Sequence, residues 1–121
     1  MSNNANNLEK VKRVVAILEK EYKYHYTHEQ LALKVGTDES CLRIAFKQVY
    51  ETTIDEYLHE IRVAKAKELL EMTHLPVHTI AATTGFTDAS AFIKDFKKST
   101  GSTPLKWRKS GAKTESTIIK F

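Results

Sequence analysis

The sequence predicts an all-α protein of about seven helices, two small helical units joined by one long helix. Three observations point there. Apolar residues recur at spacings of three and four through most of the chain, the period of helices with one buried face. Gly36 and Gly85 each break that period, as a sharp reversal does where glycine takes a positive φ. The pattern around Gly36 then returns around Gly85, about fifty residues later, so one supersecondary unit is used twice.

Asn3 to Asn7 are polar and without periodicity, and are expected to be disordered or a frayed cap. Leu8, Val11, Val15, Leu18 and Tyr22 predict a first helix, whose apolar stripe Val14 and Ile17 widen; Tyr24 to Tyr26 form its exit. Thr27 and Gln30 stand at capping-box spacing and open a second helix, with Tyr26 and Leu31 placed as a hydrophobic staple. It buries Leu31, Ala32 and Val35 and stops at Gly36. Asp38 caps a third helix with Leu42, Ala45, Phe46 and Val49 inside. Thr53 and Glu56 form a second capping box. The long helix from about Ile54 to Met72 is expected to bury Tyr57, Leu58, Ile61, Ala64, the Lys65 stem, Leu69 and Leu70.

Beyond Pro76 and Val77, Ile80, Ala81 and Thr84 keep helical spacing up to Gly85. Thr87 or Asp88 caps the next helix, which Phe92 and Phe96 anchor. Gly101 ends it, and Pro104 suits the first turn of one more short helix. The expected organisation is a first subdomain at 8–53, the linker helix at 54–72, a second subdomain at 73–109 and a flexible tail at 110–121. In the repeat, Leu42 answers to Phe92, Phe46 to Phe96, Lys47 to Lys97, Thr53 to Thr103 and Tyr57 to Trp107.

The formal net charge of +4 is unevenly placed: from Arg62 onward eleven Lys and Arg face five Asp and Glu, which leaves the first half net acidic. A basic half suits a polyanion partner, although on charge alone a solvated face is the plainer reading. No apolar run approaches the ~20 residues of a membrane helix, and Met1 to Asn7 lack the apolar centre of a secretory signal. The single Cys41 cannot form an internal disulfide, which fits a reducing cytoplasm. His25, His28, His59, His74 and His78 are scattered, and Pro76 keeps His74 and His78 off one helical face, so no metal site is expected. The chain lacks a phosphate-binding glycine loop, a Gly-x-Ser-x-Gly string and an obvious carboxylate pair, and Cys41 has no positioned base. Neither an enzyme nor a cofactor is expected.

Two helices around a tight glycine turn, the second with a basic and mixed outer face, have helix-turn-helix geometry. The stretch from Thr79 to Arg108 is more specific. Its pattern Ile-Ala-x3-Gly-Phe-x3-Ser-x-Phe-x3-Phe-Lys-Lys-x2-Gly-x-Thr-Pro-x2-Trp-Arg resembles the DNA-binding domain of the AraC/XylS family of bacterial transcription regulators. The resemblance covers roughly Leu8 to Lys109. It implies two helix-turn-helix subdomains and a sequence-specific duplex-DNA-binding transcription regulator, inserting two recognition helices into successive major-groove segments.

Carried over by position, Ser40, Arg43 and Ile44 stand where base-contacting side chains stand in the family. The matching set in the second unit is Ala89, Ser90, Ile93 and Lys94, and Lys47, Arg62, Lys97 and Lys98 are phosphate candidates. The chemistry suits these roles: a guanidinium matches the two acceptors of guanine, a hydroxyl meets base or phosphate, and an isoleucine meets a thymine methyl. The plainer reading of Arg43 is a surface pair with Glu39, and Ile93 equally suits the edge of the Phe92 and Phe96 core face. The second unit departs from the family, which often has longer polar side chains here and an aromatic at Ala91. It is therefore expected to read few bases and mostly grip backbone. His78 stands where the family has a small polar cap, and Arg108 is expected to tie helix ends beneath Trp107.

The implied partners are double-stranded DNA and, as in the family's activators, RNA polymerase, with no membrane and no cofactor. The domain is expected to be monomeric in the bacterial cytoplasm, at the nucleoid. Two organisations stay open: a complete small regulator, or the C-terminal part of a longer chain that dimerises through another domain. The competing reading is a helical protein-interaction module that docks through its acidic first half.

Overall fold

The computed structural model describes residues 2–110. Among them are seven helices and no strand: α1 (Ser2–Lys20), α2 (His28–Val35), α3 (Glu39–Tyr50), α4 (Ile54–Met72), α5 (Val77–Thr84), α6 (Ala89–Thr100) and α7 over residues 104–110. They form two compact units, Met1–Ile61 and Arg62–Phe121, whose boundary falls inside α4. Of the tail expected at 110–121, residue 110 is in α7 and the rest lies outside the described residues.

In the first unit α1 starts at Ser2, so Asn3 to Asn7 are helical rather than frayed. Asparagine is a weak helix former, but extending a helix already nucleated is far easier than starting one. Val11, Val14 and Leu18 fix that helix in a core shared with Leu31, Ala32, Val35, Leu42, Ala45, Phe46 and Ile54. Val49, expected inside, is 39% exposed. Tyr50 packs there instead, its ring centroid 4.9 Å from Phe46 and 5.4 Å from Tyr57. The expected caps form. Thr27 Oγ1 accepts from the Gln30 amide at 3.0 Å while Gln30 Oε1 accepts from the Thr27 amide at 2.8 Å. Thr53 and Glu56 make the same reciprocal pair, both bonds at 3.1 Å.

The second unit packs Val63, Ala66, Leu70, Ile80, Ala81, Phe92 and Phe96. Here the expected inner face of α4 needs correction. Lys65 is half-buried, in keeping with a buried stem, but Ala64 is exposed, whereas Val63 and Ala66 are buried. The reason is that α4 serves two cores. Ile54, Tyr57, Leu58 and Ile61 join the first and Val63, Ala66 and Leu70 the second, so one stripe cannot be run through the whole helix. The N-cap of α5 is Pro76, without a side-chain bond, and His78 lies exposed inside the helix rather than capping it. Thr84 is fully buried, yet its hydroxyl donates to the Ile80 carbonyl at 2.7 Å, so burial leaves no unpaired polar group. Arg108 donates from Nε to the Leu70 carbonyl at 3.1 Å and from Nη2 to the Leu75 carbonyl at 2.7 Å. It thereby ties the end of α4 to α7, as expected.

The repeat is visible in detail. α2 and α5 have 8 residues each, α3 and α6 have 12 each, and Asp38 and Asp88 are the equivalent N-caps. Phe46 meets Tyr57 edge-on at 5.6 Å and 84°, and Phe96 meets Trp107 at 5.7 Å and 83°.

Candidate nucleic-acid interface

The second helix of each turn carries the candidate readers. In α3, burial of Leu42, Ala45 and Phe46 turns the opposite face outward. Ser40, Arg43, Ile44 and Lys47 are exposed there and, with Gln48, line one shallow depression. Their spacing of three, one and three puts them on one helical stripe. Ile44 is 61% exposed, so it belongs to this surface and not to the core. An isolated exposed isoleucine is ordinary; here it is flanked by the polar Ser40, Arg43 and Lys47 on the same exposed stripe. Arg43 Nη1 lies 4.0 Å from Glu39 Oε1, too far for a hydrogen bond. The pair is loose and exposed, of a kind that contributes little, and leaves the guanidinium fork able to meet two acceptors.

Asp38 orients this helix by accepting from the Cys41 amide at 2.8 Å. That amide, more than the Cys41 thiol beside it, holds the Asp38 carboxyl below its ordinary range. The hydrogen bond to Asp38 in turn raises the pKa of the Cys41 thiol. Cys41 is exposed, and it is held as a thiol rather than activated as a nucleophile.

In α6, Phe92 and Phe96 are buried, and Ser90, Ile93, Lys94, Lys97 and Lys98 are exposed. Ala89 is half-buried. Ile93, for which a core position was equally open, is 40% exposed and lies outside the core cluster. Fifty positions on from Ser40, Arg43, Ile44 and Lys47, the same stripe carries Ser90, Ile93, Lys94 and Lys97. Arg62 is half-buried on α4, at the start of the second unit.

Three residues of the first unit escaped the sequence reading. Gln48, four after Ile44, extends the α3 stripe, and that spacing was available in the sequence. Lys10 and Arg13 of α1 reach the turn that precedes α3: Lys10 Nζ donates to the Gly36 carbonyl at 3.0 Å and Arg13 Nη2 to the Lys34 carbonyl at 3.4 Å. In the sequence they are only the polar side of an amphipathic helix. Among the described residues no helix is long and apolar enough to cross a membrane, and no three His, Cys, Asp or Glu cluster as metal ligands would.

A family model described as a helix-turn-helix domain matches residues 31–110. The chain is 36% identical over 75 residues to the HTH-type transcriptional activator RhaR of Escherichia coli K12. That match takes in 62% of this chain and 27% of the relative, so the chain spans about a quarter of the length of this relative. The C-terminal domain of AraT, a response regulator from Geobacillus stearothermophilus, superposes with a TM-score of 0.80 at 30% identity, covering 84% of each chain. A Chromobacterium violaceum transcriptional regulator, described as containing an AraC-type DNA-binding domain, also gives 0.80, at 25% identity over 89% of this chain and 96% of that one.

Proposed function

The chain belongs to the AraC-type helix-turn-helix family, and from that premise we propose that it is a sequence-specific duplex-DNA binder that regulates transcription. The observation that carries this reading is the stripe on the second helix of each turn, repeated with a different set of side chains. An α-helix fits the major groove, where each base pair shows a distinct set of donors and acceptors. In the first unit Arg43 reads guanine through two parallel hydrogen bonds, Ser40 supplies a hydroxyl to a base or phosphate, and Ile44 meets a thymine methyl. In the second, Ser90 and Lys94 give polar contacts, and Ala89 and Ile93 give close apolar ones. Lys47, Arg62, Lys97 and Lys98 neutralise phosphates, which adds affinity without sequence preference.

The name of the RhaR relative, an activator, extends the proposal to promoter activation with RNA polymerase as a further partner, in the cytoplasm at the nucleoid. A monomeric DNA-binding part suffices for the contacts assigned. The reading uses no catalysis: the side chains on the two stripes are those of recognition.

The test is selection of bound sequences from a random duplex pool, followed by affinity measured against salt. The chain is expected to enrich a defined motif. Lys97→Ala should weaken specific and non-specific binding together and reduce the magnitude of the salt slope by about one. An unchanged slope removes Lys97 from the phosphate contacts, and a pool left without enrichment defeats the proposal.

A further inference from the structure

We infer that Lys10 and Arg13 are positioning residues for the first reading helix: from α1 they fix the turn between α2 and α3, and so set how Ser40, Arg43 and Ile44 are presented. The inference rests on the proposal that α3 reads DNA. It begins from the carbonyls that a helix end leaves unpaired. At the end of α2 the turn serves two of them itself: the Gly36 amide donates to Leu33 at 3.2 Å and the Thr37 amide to Ala32 at 2.9 Å. The Lys34 carbonyl is then met by Arg13, and the Gly36 carbonyl, inside the turn, by Lys10. Both cations also stand favourably at the negative end of the α2 dipole.

The turn is short. α2 ends at Val35 and Asp38 already caps α3, so whatever anchors Gly36 anchors the start of the reading helix. Val35 and Leu42 on either side are buried, but packing does not reach Gly36 itself. Gly36 is exposed, and a Cβ added there would meet nothing within 4 Å. The second unit differs at the same place. Its turn makes the same internal bonds, Phe86 to Ala81 at 3.0 Å and Gly85 to Ala82 at 3.4 Å, but Gly85 is buried. The core holds that turn, whereas two side chains of α1 hold the first. α1 packs on both α2 and α3, which makes it a rigid support for the tether.

The test compares the chain with Lys10→Met, Arg13→Met, the double variant and Lys10→Arg. Each is read by its binding preference over random duplexes, its salt slope and the hydrogen exchange of the Gly36 and Thr37 amides. Preference at the base pairs read by α3 should fall roughly three- to tenfold, the factor one ordinary hydrogen bond supplies. Preference at the pairs read by α6 and the salt slope should stay, the two amides should exchange faster, and Lys10→Arg should restore the preference. If the double variant unfolds, the single Lys10→Met variant gives the same reading. Retained preference at the α3 pairs overturns the inference. So does a uniform loss with a shallower slope, which marks Lys10 and Arg13 as phosphate contacts. A parent chain that selects no sequence overturns the DNA reading itself, an outcome distinct from a selective parent with unaffected variants.

Discussion

Glu51 sits in the left-handed region, φ 58 and ψ 24, at the C-cap of α3; at the matching C-cap of α6 stands Gly101, φ 84. Its amide donates to the Lys47 carbonyl at 2.9 Å, so the helix end requires this conformation. A side chain there brings Cβ close to the following carbonyl, a strain of roughly 1–2 kcal/mol that glycine avoids. Glycine's greater freedom in the unfolded chain offsets part of that. Glu51→Gly is therefore expected to stabilise the fold by up to about 1 kcal/mol, read from the midpoint of denaturant unfolding at unchanged slope. A lower midpoint would mean that the Glu51 side chain has a stabilising partner. Single residues were unequally legible in the sequence. Leu42, Phe46, Phe92 and Phe96 declare themselves because helical period and burial coincide. Val49 and His78 mislead, since period and position cannot show that Tyr50 packs on Phe46 while Val49 stays exposed, or that Pro76 already opens α5. The contacts of Lys10 and Arg13 were invisible because their partners are backbone carbonyls more than twenty positions away.

At the scale of the element, caps set where α3 and α4 begin, and two of them are carboxylates. Asp38 is held below its ordinary 3.8, chiefly by the Cys41 amide, and Glu56 below its ordinary 4.5, chiefly by the Thr53 amide and then its hydroxyl. A depressed folded-state pKa gives stability that is fully present above the unfolded value and is lost as pH falls through the folded one. The fold should thus be insensitive to these two groups near neutrality and lose stability progressively below about pH 4.5. In Asp38→Asn/Glu56→Gln, thermal melts followed from pH 7 to 3 should show less of that acid loss; an acid dependence equal to the parent's would place its origin elsewhere. The capping boxes were readable because their partners lie three residues apart. α4 was readable in extent but not in facing. Its buried positions are dictated by two separate cores, and that division is a property of tertiary packing.

At the scale of the whole molecule, one helical unit is used twice with different side chains on its exposed stripe. α3 offers Arg43 beside Ser40 and Ile44, and α6 offers Ser90, Ile93 and Lys94. Arginine's planar fork specifies a base, whereas lysine's point charge discriminates less. The central claim is that the two units read sequence unequally, the first carrying most of the discrimination. The measurement that tests it most directly is a binding-preference profile over randomised duplexes for the parent, Arg43→Ala and Lys94→Ala. Loss of a bidentate arginine–guanine contact removes about 1–3 kcal/mol of discrimination, so Arg43→Ala should relax preference at one or two base pairs in one half of the site. Lys94→Ala should lower affinity evenly across sequences. If Arg43→Ala leaves every position of the profile intact while Lys94→Ala erases a half-site, the assignment is reversed and the second unit is the reader.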